Sequence, residues 1–268
     1  MLGETIKKLF LEEIEKFLPK NNQSNLISAM RYMLLAPAKY VRPFLVIASS
    51  KVFNIEIKRI LPIAVAIECI HSYSLIHDDL PCIDNSDTRR GQPSCHKKFD
   101  ETTAVLAGDA LLTLAFEILS SLDEDSSKRC EVIKVLSKAI GYQGMVKGQV
   151  LDINSENVDC DKIKEIHLMK TANLFAVSCK ICAIINGATD EQQEALYSYG
   201  VNLGLIFQAK DDVKDYEQDK ASNLVSVLSK SGVRDYIDDL FERALENLSA
   251  LPDSTDYLYN LLDQIKND

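Results

Sequence analysis

Two clusters of carboxylates stand out. The first is His77-Asp78-Asp79-Leu80-Pro81-Cys82-Ile83-Asp84-Asn85-Ser86-Asp87, followed by Thr88-Arg89-Arg90-Gly91. The second is Phe207-Gln208-Ala209-Lys210-Asp211-Asp212-Val213-Lys214-Asp215. Carboxylates this dense repel one another unless a cation or solvent screens them. Pro81 and the polar run behind it should end a helix, so Asp78 and Asp79 sit at its C-terminus, where the dipole is negative and a bound cation is favoured. In the second cluster Gln208, Asp211 and Asp215 fall at i, i+3 and i+7 on one helical stripe, with Asp212 flanking it. Hard oxygen donors without histidine or thiolate suit Mg²⁺, which retains waters and substrate phosphates among its ligands. Arg89 and Arg90 fit the same chemistry, because a phosphate needs guanidinium groups and a lone metal does not. One such cluster alone reads more simply as a solvated acidic helix end. Two, each climbing out of a strongly apolar helix, point to metal-assisted phosphate chemistry.

The elements that must position these residues are helical almost throughout. Ile6, Leu9, Phe10, Ile14, Phe17 and Leu18 follow the i, i+3, i+4 pattern, as do Leu26, Ile27, Met30, Met33 and Leu34. A third helix begins near Pro43, and a longer one runs from about Leu61 to Asp78-Asp79 with Pro62 in its first turn. Further helices are predicted at roughly 101–121, 128–153, 161–187, 191–218, 232–249 and 255–266. Strand-like alternation is not sustained over six residues, there is no repeat, and no Gly/Ser/Pro-rich linker marks a boundary. The expectation is one all-α domain over 1–268, a single bundle of about ten helices. Helices apolar around much of their circumference, such as Ile63 to Ile70 and Ala172 to Ile185, belong at its centre, and charged residues at their ends then face inward.

Composition narrows the function. The chain has 268 residues, 46% of them hydrophobic, with only 10 Gly and 7 Pro, which excludes collagen-like, low-complexity and turn-rich β classes. A net charge of −10 argues against nonspecific binding to nucleic acid or anionic membranes. No basic start precedes an apolar run, so no signal peptide is visible and a cytoplasmic location is expected. The most apolar stretch, Ile60 to Ile70, contains Pro62 and Glu68 and is too short to span a bilayer, so stable membrane insertion is not expected. The seven cysteines are read as reduced thiols. Cys179-Lys-Ile-Cys182 lacks the second pair a structural zinc needs, and reads as helix core.

The motif Asp78-Asp79-x-x-x-x-Asp84 with Arg89-Arg90-Gly91, and Asp211-Asp212-x-x-Asp215 about 130 residues later, resembles the short-chain trans-prenyl diphosphate synthases. Glu68-Cys69-Ile70-His71-Ser72-Tyr73-Ser74-Leu75-Ile76-His77 and Leu106-Ala107-Gly108-Asp109-Ala110-Leu111 strengthen the match, which is nearest to the bacterial farnesyl diphosphate synthases and runs from about residue 27 to the C-terminus. The resemblance implies an isoprenoid-synthase-type bundle around a central active-site cavity, usually a homodimer. It implies that an allylic diphosphate, dimethylallyl or geranyl, condenses with isopentenyl diphosphate and releases pyrophosphate. Asp78, Asp84 and Asp211 would hold Mg²⁺, about three ions with substrate bound, with Asp79, Asp212 and Asp215 as ligands or their supports. Arg89, Lys170 and Lys220 would contact the allylic diphosphate. Lys39, Arg42, His71 and Arg90 would bind isopentenyl diphosphate. Thr171, Gln208 and Lys170 would stabilise the carbocation.

Product length is expected to depend on the residues four and five positions before Asp78, Ser74 and Tyr73, which at 1.5 Å per residue lie roughly 6–7.5 Å below it. The Tyr73 ring would form a floor and favour a C15 product. Three departures from the family pattern bear on this. Its Gly-Gly-Lys-Arg stretch reads Pro37-Ala38-Lys39-Tyr40, losing glycines that let a backbone approach phosphate. Lys210 and Lys214 stand inside the second motif, where they could pair with its carboxylates. The segment 216–224 is shorter than the family's loop and retains only Lys220 of its two lysines. Alternatives are therefore a geranylgeranyl (C20) synthase and a weakly active or inactive partner subunit; a terpene cyclase would not need the isopentenyl pocket.

Overall fold

Helix-forming runs with explicit start signals build this chain, seen in a computed structural model that describes residues 3–18, 20, 24–155, 158–216, 223–252 and 254–267. The described residues form thirteen α-helices, one π-helical turn and one two-stranded hairpin, an all-α architecture. They divide into two compact units, 1–44 with 57–123 and 45–56 with 124–268.

The first unit contains α1 (Glu4–Phe17), α2 (Asn25–Leu34), the first turn of α3 (Val41–Val52), α4 (Ile57–Asp78), β1 (Thr88–Arg89), β2 (Gln92–Pro93), α5 (Cys95–Lys98) and α6 (Glu101–Ser120). Helix α4 is its axis, with α1, α2 and α6 against it. It begins four residues before the predicted Leu61, so Pro62 falls in the second turn. Thirteen of its residues are buried, from Ile60 to Ile76, which explains why its hydrophobicity has no preferred face. Asp100 starts α6 by accepting the Thr103 N–H at 2.7 Å.

The second unit holds the rest of α3 with α7 (Ser126–Ile140), α8 (Met145–Ile153), α9 (Cys160–His167), a π-turn at Leu168–Ala172, α10 (Asn173–Asn186), α11 (Asp190–Asp215), α12 (Leu224–Ser249) and α13 (Asp256–Asn267). The single helix predicted over 128–153 is two helices separated by 141–144, with Gly at both ends of the break. The one predicted over 161–187 contains the π-turn, a widened ring that apolar periodicity does not register. Thr189 and Gln192 form a capping box that starts α11. Helix α12 begins eight residues earlier than the predicted 232 and kinks at Ser229, whose φ is 65°.

Among the described residues, three helices are long and apolar enough to cross a membrane: α4, α6 and the run Cys160–Asn186. This corrects the expectation that no stretch reaches that length. The first and third are 72% buried within the protein over their most apolar windows, whereas that of α6 is only 39% buried. All seven cysteines are thiols. Cys179 and Cys182 are buried; the Cys182 thiol donates to the Val46 carbonyl at 3.0 Å, and burial pushes the Cys179 thiol up to about 12. Both are packed in the core of α10.

Candidate active site

The first acidic motif is a helix end folded back on itself. Helix α4 stops at Asp78, and the Asp84 N–H returns to the Asp78 carbonyl at 2.9 Å while the Ser86 N–H reaches the Asp79 carbonyl at 3.2 Å. These bonds satisfy carbonyls that the helix terminus leaves without partners. Asp79 points inward and is fully buried, with both carboxylate oxygens facing Arg89: Nε donates to them at 3.0 and 3.2 Å, and Nη2 makes a further contact. Asp78 is half-buried and Asp84 exposed. Arg89 and Gln92 pair across a hairpin whose two-residue loop is Arg90-Gly91, at φ 53° and 75°. Two successive left-handed residues make this a hairpin turn of the primed type, which glycine adopts freely and arginine does not. The structure thus holds Arg90 in a costly conformation.

Arg90 reaches into a cationic cluster beside α4. Its Nη2 lies 3.5 Å from Oε1 of Glu68, and Arg42 Nη1 lies 3.2 Å from His71 Nε2. Loss of hydration and then the charges of Arg42, Arg90 and Arg89 push His71 well below its ordinary value, so it is a neutral acceptor. Lys39 is exposed on the turn before α3. At the altered Pro37-Ala38-Lys39-Tyr40 stretch the left-handed backbone falls on Tyr40, φ 49°, and its buried hydroxyl donates to carbonyls of Leu34 and Ala36 at 3.1 and 3.2 Å. Where the family carries a second cation, this chain ties the end of α2 to the start of α3. Tyr73 is buried, with its ring edge-on to His77 at 5.8 Å, and burial and the charge of Asp78 push its hydroxyl up to about 12. Ser74 donates to the His71 carbonyl at 2.9 Å.

The second motif lies in the other unit, where α11, the π-turn, α8 and the start of α12 line a cavity of about 180 Å³. Lys170, Thr171, Gln208, Asp211, Asp212 and Asp215 all border it. The Thr171 hydroxyl donates to Gln208 Oε1 at 2.8 Å, and the Gln208 amide donates to Asp212 at 3.3 Å. Asp212 is buried; its Oδ2 accepts the Leu224 N–H and its carbonyl accepts from Asn223 Nδ2, both at 2.8 Å. Asp211 is half-buried and Asp215 exposed. Gly148 of α8 permits this construction, since a Cβ there would stand 2.3 Å from the Lys170 backbone nitrogen. Lys210 donates to the Lys266 carbonyl at 2.7 Å, toward α13, and Lys214 is exposed. Lys220 lies outside the described residues.

Four residues of these two sites were not among the expected site residues. Asp152 accepts from Lys170 Nζ at 2.6 Å, His167 stands 3.5 Å from Asp212, Asn223 caps α12, and Glu68 sits among the arginines. Burial, with help from the Lys170 charge, pushes His167 down to about 4, leaving it neutral. A charge near the end of an apolar helix was the available signal for Asp152; for Asn223 and His167 there was none.

The donor set fits Mg²⁺. Asp78, Asp84, Asp211 and Asp215 are exposed or half-buried oxygen donors, while Asp79 and Asp212 are committed to internal partners. Among the described residues no three His, Cys, Asp or Glu converge into a ready cage. Mg²⁺ does not require one, because it is held through one or two carboxylates, waters and substrate phosphates.

A polyprenyl synthetase family model matches residues 23–235. The chain is 38% identical to a farnesyl diphosphate synthase from Haemophilus influenzae, over 88% of this chain and 86% of that one. It is 44% identical to the large subunit 1 of a heterodimeric geranylgeranyl pyrophosphate synthase from Arabidopsis thaliana, over 79% of this chain but only 59% of the plant protein's length. The structure superposes on an FPP/GFPP synthase from Zymomonas mobilis with a TM-score of 0.90, at 37% identity and 98% coverage of both chains. The chain therefore belongs to the polyprenyl synthetase family, among its trans-prenyl diphosphate synthases, which are prenyltransferases.

Proposed function

We propose that this chain condenses isopentenyl diphosphate with dimethylallyl or geranyl diphosphate, with Mg²⁺, to give farnesyl diphosphate and pyrophosphate. The observation that carries the C15 assignment is Tyr73, a buried ring held edge-on to His77 five residues before Asp78. Asp78, Asp84, Asp211 and Asp215 would hold Mg²⁺, about three ions with substrate bound, with Asp79 and Asp212 bracing the two motifs. Mg²⁺ held by these residues would supply positive charge to the diphosphate that leaves with the electron pair of the allylic C–O bond. Arg89 turns Nε and Nη2 toward Asp79, which leaves Nη1 for the allylic diphosphate. Lys170 and Lys220 add positive charge to that group. Lys39, Arg42, His71 and Arg90 bind the diphosphate of isopentenyl diphosphate without metal.

The Thr171 hydroxyl and Gln208 carbonyl oxygens stabilise the allylic cation through their dipoles without attacking it. The double bond of isopentenyl diphosphate then attacks the cationic carbon, a C–C bond forms, and a proton leaves to the released pyrophosphate. Both units act as one catalytic domain in this reading. The exposed apolar face of α6, with Leu106 at 52% exposure, supports a homodimer. Seven free thiols fit the cytoplasm. A second reading, a weakly active partner subunit, is favoured by the short connection between Asp215 and Leu224.

Incubation with Mg²⁺, labelled isopentenyl diphosphate and geranyl diphosphate, followed by sizing of the products, tests the assignment. A C15 product is expected, and Tyr73→Ala should shift it to C20 or longer. A C20 product from the unaltered chain removes the Tyr73 floor and keeps the chemistry. Diphosphate binding without product favours the partner-subunit reading.

A further inference from the structure

Glu68 is the one residue of the cationic pocket whose presence the pocket's task does not explain. It sits in the middle of α4, 1% exposed, with Ile67 and Cys69 fully buried on either side. Neither carboxylate oxygen has a hydrogen-bond partner of good geometry; the nearest cation is Arg90, at 3.5 Å. Isolating a carboxylate in an apolar helix is costly, and an anion inside a diphosphate-binding pocket repels the substrate. The cost is understandable if the carboxylate offsets a second problem. Arg42 from α3 and Arg90 from the hairpin bring two guanidinium charges to this pocket, and His71 between them is neutral. Glu68 faces the nearer of these charges, Arg90, at 3.5 Å.

We propose that Glu68 is a proton-linked positioning residue: it neutralises Arg42 and Arg90 while the pocket is empty, and takes up a proton from solvent when a diphosphate enters. The inference rests on the isopentenyl diphosphate reading of this pocket. Burial pushes Glu68 up to about 7 against the opposing pull of Arg90 and Arg42, so both forms are accessible near neutral pH. The groups that bear on it come from every side of the pocket: Arg42 on α3, Arg90 on the hairpin, the Tyr40 hydroxyl on the turn before α3, and Cys69 beside it on α4. Tyr40 and Cys69 are held high, at about 12 and beyond, and His71 low, so Glu68 is the group of this set that changes charge near pH 7. An arriving diphosphate takes over the arginines, removes the support for the carboxylate, and raises its proton affinity further.

Calorimetry of the full chain with isopentenyl diphosphate, in chelator and in buffers of low and high ionisation heat at pH 7.5, measures the proton uptake. The expected result is net uptake by the wild type that is lost in Glu68→Gln. The dissociation constant should weaken with rising pH in the wild type only, so that Glu68→Gln binds about tenfold tighter at pH 8.5 and equally near pH 6. Equal proton counts in the two proteins, or parallel pH profiles, overturn the proposal. The wild-type measurement stands by itself if the variant does not fold: no uptake there also overturns it. Absence of isopentenyl diphosphate binding to an active wild type rejects this pocket and the proposal together. Normal binding without proton linkage rejects Glu68 alone and leaves the prenyltransferase reading intact.

Discussion

The two acidic motifs have the same burial pattern and different electrostatics. Each turns its middle aspartate inward, Asp79 and Asp212, and leaves the outer two at least partly exposed. Asp79 is neutralised by a full positive charge, the Arg89 guanidinium. Asp212 is held by dipoles: the Leu224 N–H at the start of α12, the Gln208 amide and the neighbouring neutral His167. The guanidinium cancels the buried charge and presents its remaining edge to an anion. At the second motif the buried carboxylate docks α12 by its N-terminus, where a carboxylate is favoured. Similar spacing of aspartates in a sequence therefore does not mean similar fields.

Substitutions should separate the exposed from the buried members first. Asp78→Ala and Asp211→Ala are each expected to lower kcat by about 10³-fold while shifting stability by no more than about 0.5 kcal/mol. Steady-state assays with urea denaturation would check both numbers, and a large stability loss would erase the division of labour. Among the buried members, Asp79→Ala should destabilise by about 3 kcal/mol, because it strands the half-buried Arg89. Asp212→Ala should destabilise by about 1–2 kcal/mol, the loss of a cap and one amide contact. Equal losses would mean that the guanidinium and the dipoles do the same work.

A pH series sharpens the comparison from the cationic side. A carboxyl group whose folded value, about 7, lies above its unfolded value contributes stability below about pH 4.5 that disappears as pH rises through 7. Glu68→Gln lacks that dependence. Its stability relative to wild type should rise with pH over this window, by up to about 3 kcal/mol, as read by thermal unfolding at pH 5 and pH 8. A constant difference across the window would place Glu68 in a more polar setting than the structure does.

Much of the helical framework was legible in sequence, because apolar residues at helical spacing are a local signal; the caps at Asp100 and Thr189 came to light only in the structure. The exceptions have local causes that periodicity cannot weigh. The break at 141–144 rests on glycines at both of its ends. The π-turn at Leu168–Ala172 widens the hydrogen-bonded ring by one residue, which no local signal in the sequence announces, yet it carries Lys170 and Thr171 to the cavity. Of the site, the residue types and their spacing were readable; their partners were not. Arg89 was expected to serve a substrate, and it also holds Asp79. Asp212 was expected near a metal, and it anchors α12.

By itself the sequence determined an all-helical chain, two dense carboxylate motifs, a pair of arginines after the first, and a tyrosine five residues before Asp78. Those are matters of residue type and spacing along one or two helices, and local geometry is enough to read them. Which aspartate of each motif is buried, which cation or dipole neutralises it, and where Glu68 meets Arg90 were decided only by the tertiary structure. Burial and pairing depend on groups distant in the chain, Arg90 from α4 and Leu224 from α11, and the free energy of a charge is set by what folding brings beside it.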